Sequence, residues 1–209
     1  MSRFADFTKQ VLSGKTIYRI LFNWQVKENC DGLQGVCVDF AGGKSPSYEK
    51  YWNLKCDKMI KTDIETDLNK PLPFGDNFAD NAFLFNAIYI LENPESTLKE
   101  ISRILKAGGQ IFISSPFIAN EMPEPHDYCR FTSEKLKNIM QNAGFKDAEI
   151  IPFGERFTAS VHLLHNFFLF GFVRFFVFAA ALALDKIIPK KMKKLHPCPA
   201  GYFVRAIKK

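Results

Sequence analysis

The sequence predicts an α/β fold in which a mostly parallel sheet is covered by helices, and the region 67–117 carries most of this prediction. Residues 82–85 are wholly apolar, as expected of a strand that is covered on both faces. A helix is predicted from Pro94, because Asn93 can cap its first turn and apolar side chains recur on one face. Residues 111–113 supply a second buried strand. The region is therefore predicted to be a parallel β-α-β unit.

The other elements are predicted from apolar runs that end at turn residues. Residues 3–29 have helical spacing with a break at Gly14, and residues 1–30 would form an N-terminal cap. The pair Gly108 and Gly109 is expected to end the helix that starts at Pro94. Further strands are predicted at 36–40, 59–63, 145–152 and 200–207, and a further helix at 133–143.

The positive charge of the chain is concentrated near its end. The net charge is +6, and residues 185–209 hold eight Lys or Arg against one Asp, so the remainder is close to neutral. This distribution indicates a local anionic partner and argues against a broad nucleic-acid groove. With 47% hydrophobic and 24% charged residues, we expect residues 1–209 to fold as a single domain.

The five cysteines are scattered and form no CxxC pair, so no metal site and no disulfide framework is predicted. Reduced thiols in a cytoplasmic protein are the simpler interpretation. Arg3, Asp6 and Lys9 interrupt any apolar run at the N-terminus, which argues against a secretory signal there.

A glycine-containing turn follows the first predicted strand, where an open α/β sheet binds its ligand. Asp39 ends that strand, and Ala41, Gly42 and Gly43 follow. Glycines let the backbone approach a ligand, and a following helix start offers free amide donors.

An acidic residue ends the second predicted strand. Asp63 lies 24 residues beyond Asp39, close to the spacing of about 20 at which a carboxylate accepts bonds from ribose hydroxyls. Asp57 is the rival, and a solvated loop acid is the alternative interpretation of Asp63.

Several motifs follow one another in an order that resembles class I S-adenosylmethionine (SAM)-dependent methyltransferases, in particular the subgroup described as methyltransferase domain 11. These are Leu72-Pro73-Phe74, Asn93-Pro94-Glu95 and the run from Arg103 to Gly109, RILKAGG. The resemblance extends from about residue 35 to 153 and resumes at 201. It implies a Rossmann-like sheet of seven strands with the last strand antiparallel, SAM as cofactor, and an N-terminal helix that covers the cofactor site.

The resemblance also implies which residues hold the cofactor. They are Asp39, Ala41, Gly42, Gly43, Asp63, Asp67, Leu68 and Asn86. Two departures from the family pattern stand out. Ala41 replaces the first glycine of the turn, and Ile88-Tyr89-Ile90 replaces a Leu-Glu-His, which leaves Asn86 as the polar group expected near the methyl donor.

A polar loop after the fifth predicted strand offers acceptor-side groups. Its run from His126 to Thr132, HDYCRFT, resembles methyltransferases of polysaccharide and lipid-linked glycan pathways. His126 is the candidate base for a hydroxyl acceptor, with Tyr128 or Asp127 orienting it. The alternative is a structural loop in which Arg130 pairs with Asp127.

Residues 161–184 are apolar and aromatic, and five lysines follow between 186 and 194. With its flanks, this region forms a hydrophobic and basic helical insertion at 154–199, before the last strand. An apolar segment beside lysines is typical of proteins that lie on an anionic membrane. A homodimer or core contact is the alternative, and Arg174 argues against a membrane span.

The sequence as a whole predicts methyl transfer from SAM to an acceptor, in particular a hydroxyl of a glycan or lipid-linked intermediate. The expected partners are that small-molecule, glycan or lipid-linked acceptor and, through residues 161–194, the inner face of a membrane. A catalytically silent SAM-binding or scaffold protein is the main alternative, and a nicotinamide-dependent oxidoreductase is a weaker one.

Overall fold

The computed structural model describes residues 2–43, 46–62 and 66–209, and its centre is a six-stranded sheet in the order β2-β1-β3-β4-β6-β5. The β1–β2, β1–β3 and β3–β4 pairs are parallel, whereas β6 is antiparallel to both β4 and β5. This is the predicted Rossmann-like, mostly parallel sheet with an antiparallel last strand. The strands are β1 Asp31–Asp39, β2 Asn53–Lys61, β3 Ala79–Phe85, β4 Leu105–Pro116, β5 Phe145–Phe153 and β6 Gly201–Lys208.

Helices cover both faces of the sheet, as predicted. The break in the N-terminal region falls between α1 and α2, next to Gly14. Asn93 caps α3, since its side-chain oxygen accepts a hydrogen bond from the Ser96 N–H. The helices are α1 Arg3–Leu12, α2 Ile17–Asn29, α3 Pro94–Ile104, α4 Ser133–Asn142, α5 Arg156–Leu163, α6 Gly171–Ile187 and α7 Lys190–Leu195.

Successive side chains of the central strands point to opposite faces of the sheet, so each strand contributes side chains to two apolar cores. One core lies under α3 and α4 and includes Leu84 of β3. The other lies under α1, α2, α5 and α6 and holds a row of rings. That row comprises Phe83, Phe85, Phe112 and Phe203. The apolar runs predicted as buried strands are therefore buried on both sides.

The sheet in the described ranges has six strands, so the prediction of seven is not met there. The chain leaves β2 at Lys61 and enters β3 at Ala79, and residues 66–78 between them form turns without a strand. The second strand also differs from its prediction. A single strand, β2, covers both the favoured 59–61 and the residues 53–57 that end at the rival Asp57; apolar and polar side chains alternate only over 53–57.

The glycine pair at 108 and 109 does not end α3, which is a correction to the sequence prediction. The helix ends at Ile104 and the backbone turns extended at Leu105, so both glycines lie inside β4. A Cβ on Gly109 would lie 3.0 Å from the carbonyl oxygen of Asp80 and 2.9 Å from that of Lys106. The glycine is thus needed for close packing at the strand start.

Two of the five cysteines are joined in a disulfide, so the prediction of reduced thiols throughout is wrong for Cys37 and Cys56. The two residues lie on neighbouring parallel strands, with Cα atoms 6.1 Å apart and a separation of 19 positions in the sequence. No local sequence motif connects the two cysteines. Only the pairing of β1 with β2 brings their thiols within bonding distance.

Candidate cofactor site

A cavity of about 640 Å³ opens at the carboxyl ends of β1 and β3, where an open α/β sheet binds ligands. Its volume lies within the range of about 300–1,000 Å³ that is usual for small-molecule sites. Six residues predicted from the sequence line this one cavity. They are Ala41, Asp67, Leu68, Asn86, His126 and Tyr128.

Asp39 is buried behind this cavity and does not line it. Its carboxylate accepts a 2.8 Å hydrogen bond from the Tyr48 hydroxyl and a longer one, 3.4 Å, from the Ala41 N–H. Burial raises the pKa of Asp39 to about 6, and these hydrogen bonds oppose that rise. Asp39 therefore stabilises the turn after β1 through these two hydrogen bonds.

The turn itself is packed against that carboxylate. A Cβ on Gly42 would lie 2.0 Å from Asp39 Oδ2 and 3.0 Å from the Tyr48 hydroxyl, so no larger residue fits without moving them. Gly43 has a positive φ of 59° and open space beside it. Neither glycine is among the residues that line the cavity, whereas Ala41 is.

Asp67 and Leu68, which the resemblance predicts to hold the cofactor, are neighbours that both line the cavity. Leu68 is buried, and its carbonyl accepts a hydrogen bond from the Thr97 hydroxyl of α3 at 2.9 Å. The Asp67 carboxylate accepts from the Asn69 N–H at 3.0 Å and pairs with Lys70, which lowers its pKa. This wall is thus preorganised by its own hydrogen bonds. Asp63, the other predicted acid, lies outside the described residues.

Asn86 sits at the end of β3 in a left-handed conformation with φ 52°, which asparagine tolerates better than most residues. Its backbone N–H donates to the Ser114 hydroxyl at 2.9 Å and to the Ser114 carbonyl at 3.1 Å. Its side-chain oxygen accepts from the Tyr18 hydroxyl at 2.6 Å. Asn86 lines the cavity, and its buried Nδ2 group has no hydrogen-bond partner among the described residues, so this donor is unsatisfied.

Sequence reasoning did not identify Tyr18 or His162, which stand behind Asn86. Tyr18 belongs to α2 and its ring stacks on the ring of His162 in α5, with centroids 5.2 Å apart. Burial lowers the pKa of His162 to about 4, so this imidazole is neutral. Positions 18, 86 and 162 are too far apart in the sequence for any spacing to connect them.

The loop before α4 brings His126 and Tyr128 to the same cavity, with ring centroids 5.4 Å apart. Tyr128 is 51% exposed and His126 is also exposed. Asp127 does not orient His126. Its carboxylate is held by the Arg130 guanidinium and by the Met122 N–H, which lowers the pKa of Asp127. The alternative prediction of an Asp127–Arg130 structural pair is therefore confirmed.

The residues present fit S-adenosylmethionine, the cofactor that the resemblance implies. The cavity has the required size, its inner wall carries the apolar Phe40 and Leu68, and its polar groups include the free Asn86 amide and the Asp67 carboxylate. Such a mixture of apolar surface and few polar groups is typical of cofactor sites.

Residues 34–113 match the family model described as a methyltransferase domain. Among curated proteins, the chain is 29% identical over 114 residues to a tRNA U34 carboxymethyltransferase of Nautilia profundicola, covering 48% of this chain and 37% of that protein. It is 28% identical over 120 residues to a sterol 4-C-methyltransferase of Caenorhabditis elegans, covering 52% and 34%. The chain thus spans less than two fifths of the length of these relatives.

Solved structures show the same fold at low sequence identity. A phosphoethanolamine N-methyltransferase of Haemonchus contortus in complex with S-adenosyl-L-methionine superposes with a TM-score of 0.55 at 13% identity, covering 90% of this chain and 52% of that chain. A SAM-dependent methyltransferase of Archaeoglobus fulgidus superposes with a TM-score of 0.54 at 18% identity, covering 91% and 94%. Residues 34–113 therefore match a methyltransferase domain, within a fold that is shared with these S-adenosylmethionine-dependent methyltransferases.

Proposed function

We propose that the protein transfers a methyl group from SAM to a hydroxyl of a glycan or lipid-linked intermediate. The observation that carries this proposal is that His126 and Tyr128 line the same cavity as four of the predicted cofactor residues, Ala41, Asp67, Leu68 and Asn86. A transfer reaction needs donor and acceptor in the same space, and this cavity is the place that provides it.

The cofactor side of the cavity would bind through the walls already described. Phe40 and Leu68 offer apolar surface, Asp67 offers a hydrogen-bond acceptor, and Asn86 Nδ2 offers a donor. Asp39, Gly42 and Gly43 would act from behind by fixing the turn that carries Ala41. Bound SAM supplies a methyl group activated by its positively charged sulfur, so the protein's main task is alignment.

The acceptor side would take the proton from the attacking hydroxyl. A neutral imidazole can do this near neutral pH, and His126 lies on the cavity rim without a hydrogen-bond partner among the described residues. Tyr128 adds an exposed aromatic ring beside it, a surface on which an acceptor can pack. The Asp127–Arg130 pair holds the backbone of this loop in place.

The hydroxyl acceptor is favoured because the rim supplies a base. His126→Gln should lower turnover by roughly 10²–10⁴-fold and leave the affinity for S-adenosylhomocysteine unchanged. The measurement is release of S-adenosylhomocysteine with a panel of free glycans and polyprenyl-linked sugars as acceptors. His196→Gln is the matched control, because His196 is exposed and is not among the cavity-lining residues.

Full turnover by His126→Gln would show that His126 is not the base that removes the hydroxyl proton. Binding of S-adenosylhomocysteine without turnover on any acceptor would instead favour the catalytically silent alternative. Turnover on an amine or nucleic acid but not on a hydroxyl panel would overturn the acceptor class and leave the cofactor site intact.

A further inference from the structure

The large exposed apolar side chains of this protein are concentrated in one part of the fold. Fifteen such residues occur in the described ranges, and all except Tyr128 lie in α1 or between residues 157 and 195. Phe167, Leu169 and Phe176 are 78%, 75% and 68% exposed. Isolated exposed apolar residues are normal, but a concentration of this kind marks an interaction surface.

These side chains adjoin one another across α1 and the start of α6. The Phe4 ring lies 6.2 Å from that of Phe175, and the Phe170 and Phe172 rings are stacked 5.9 Å apart. Leu12 lies beside Gly171. We define the apolar patch as Phe4, Leu12, Leu169, Phe170, Phe172 and Phe176.

The helix α6, which carries Phe172 and Phe176 of the patch, is too short to cross a bilayer. With 17 residues α6 is about 25 Å long, and within the described residues no helix is long and apolar enough for a span. Arg174 lies close to the patch, but its guanidinium turns back to donate to the Phe168 carbonyl at 2.6 Å. The charge is thus held at the protein side of the surface.

Basic side chains lie at the C-terminal end of α6 and in α7, from ten positions after Phe176 onward. Lys186, Lys190, Lys191 and Lys194 are exposed, and none forms an ion pair with another residue of the described ranges. Lys193 donates to the Asp185 carbonyl at the C-terminal part of α6. An apolar face with flanking unpaired lysines is complementary to an interface of acyl chains and anionic headgroups.

The same region adjoins the rim of the cavity. The Asn120 side chain donates to the Leu163 carbonyl at 3.2 Å, which ties the loop after β4 to the C-terminal end of α5. His162 of that helix stacks on Tyr18, which in turn bonds to Asn86 in the cavity wall. The surface and the cavity are therefore linked through α5.

We propose that the apolar patch and its flanking lysines dock the protein on the surface of an anionic phospholipid bilayer. The aromatic side chains of the patch enter the interfacial region, and the lysines contact the headgroups. This inference rests on surface chemistry alone and does not depend on methyl transfer by the cavity.

Vesicle flotation tests this proposal with the full chain. The wild type should float with phosphatidylcholine vesicles containing phosphatidylglycerol and float less with phosphatidylcholine alone. Lys190→Glu with Lys191→Glu should weaken binding by about 30-fold or more, the loss expected for two surface lysines. Lys135→Glu with Lys137→Glu on α4 is the matched control, since it makes the same charge change on the opposite face of the sheet and should float normally.

The double variant Phe170→Ser with Phe172→Ser separates the apolar contribution from the charge. It should lose flotation while binding S-adenosylhomocysteine and unfolding like the wild type. Equal flotation of this variant and the wild type would overturn the proposal, and so would a wild type that does not float. A concentration-dependent dimer that this variant dissolves, without any flotation of the wild type, would assign the patch to a second copy instead.

Discussion

The Tyr18 hydroxyl donates a 2.6 Å hydrogen bond to Asn86 Oδ1 and so joins the N-terminal helix region to the end of β3 across 68 residues of sequence. Asn86 is held from two sides, because Ser114 fixes its backbone N–H while Tyr18 fixes its side-chain oxygen. The Nδ2 group is buried without a hydrogen-bond partner among the described residues, in a residue that lines the cavity. The N-terminal helices thus help to build the site.

Tyr18→Phe should weaken both the fold and cofactor binding. Leaving the buried Asn86 oxygen without its donor should cost about 1–3 kcal/mol of unfolding free energy, and the freed amide can turn away from the cavity. Chemical denaturation and calorimetric titration of S-adenosylhomocysteine measure the two effects. Tyr202→Phe is the control, because Tyr202 is buried in the other core and does not line the cavity. Unchanged affinity in Tyr18→Phe would show that Asn86 needs no support from α2.

Asp39→Asn should stabilise the protein above pH 6. The folded pKa of Asp39 is raised to about 6 from its ordinary 3.8, mainly by burial. Between these values the folded state binds more protons than the unfolded state, so stability falls as the pH rises through this window. The variant lacks this loss and should gain up to roughly 3 kcal/mol relative to the wild type between pH 4 and pH 7.

Denaturation curves at several pH values measure this difference. Asp57→Asn, at an exposed position on the neighbouring β2, makes the same change of side chain without the burial. A stability difference between Asp39→Asn and wild type that stays constant with pH would contradict the assignment of a buried, destabilised carboxylate.

Reduction should destabilise the protein through the Cys37–Cys56 disulfide. Constraining a loop of this length is worth about 2–4 kcal/mol. Thiol titration of the unfolded chain should find three free thiols before reduction and five after it. Cys56→Ala should be less stable and insensitive to reductant, whereas Cys129→Ala should keep the reductant effect. Five free thiols without reduction would contradict the pairing.

The fold could be predicted largely from the sequence because its signals are local. Residues 82–85 and 111–113 are apolar enough to require burial, Asn93 caps the helix predicted from Pro94, and the helix predicted at 133–143 is present as α4. The prediction that Gly108 and Gly109 end α3 is wrong, because glycine ends helices but also permits close packing inside strands. The Cys37–Cys56 pairing depends on strand register, which no local pattern specifies.

The site could be predicted only in part, for the same reason. Ala41, Leu68 and Asn86 follow strand ends or family motifs, and the structure brings them to one cavity. Asp39 was expected to contact the cofactor, but burial and Tyr48 place it behind the turn. Tyr18 belongs to α2, whose position over β3 is set by packing in the core under α1, α2, α5 and α6. The spacing of residues in the sequence does not predict this packing.

Calorimetric titration of the wild type with S-adenosylhomocysteine tests the central claim most directly, namely that the cavity beside Ala41 is a cofactor site. We expect equimolar binding that Ala41→Phe abolishes, because the new ring would occupy part of the cavity, while Ala107→Phe at the exposed amino-terminal end of β4 binds normally. Absence of binding heat in the wild type, or equal affinity in a folded Ala41→Phe, would contradict the claim.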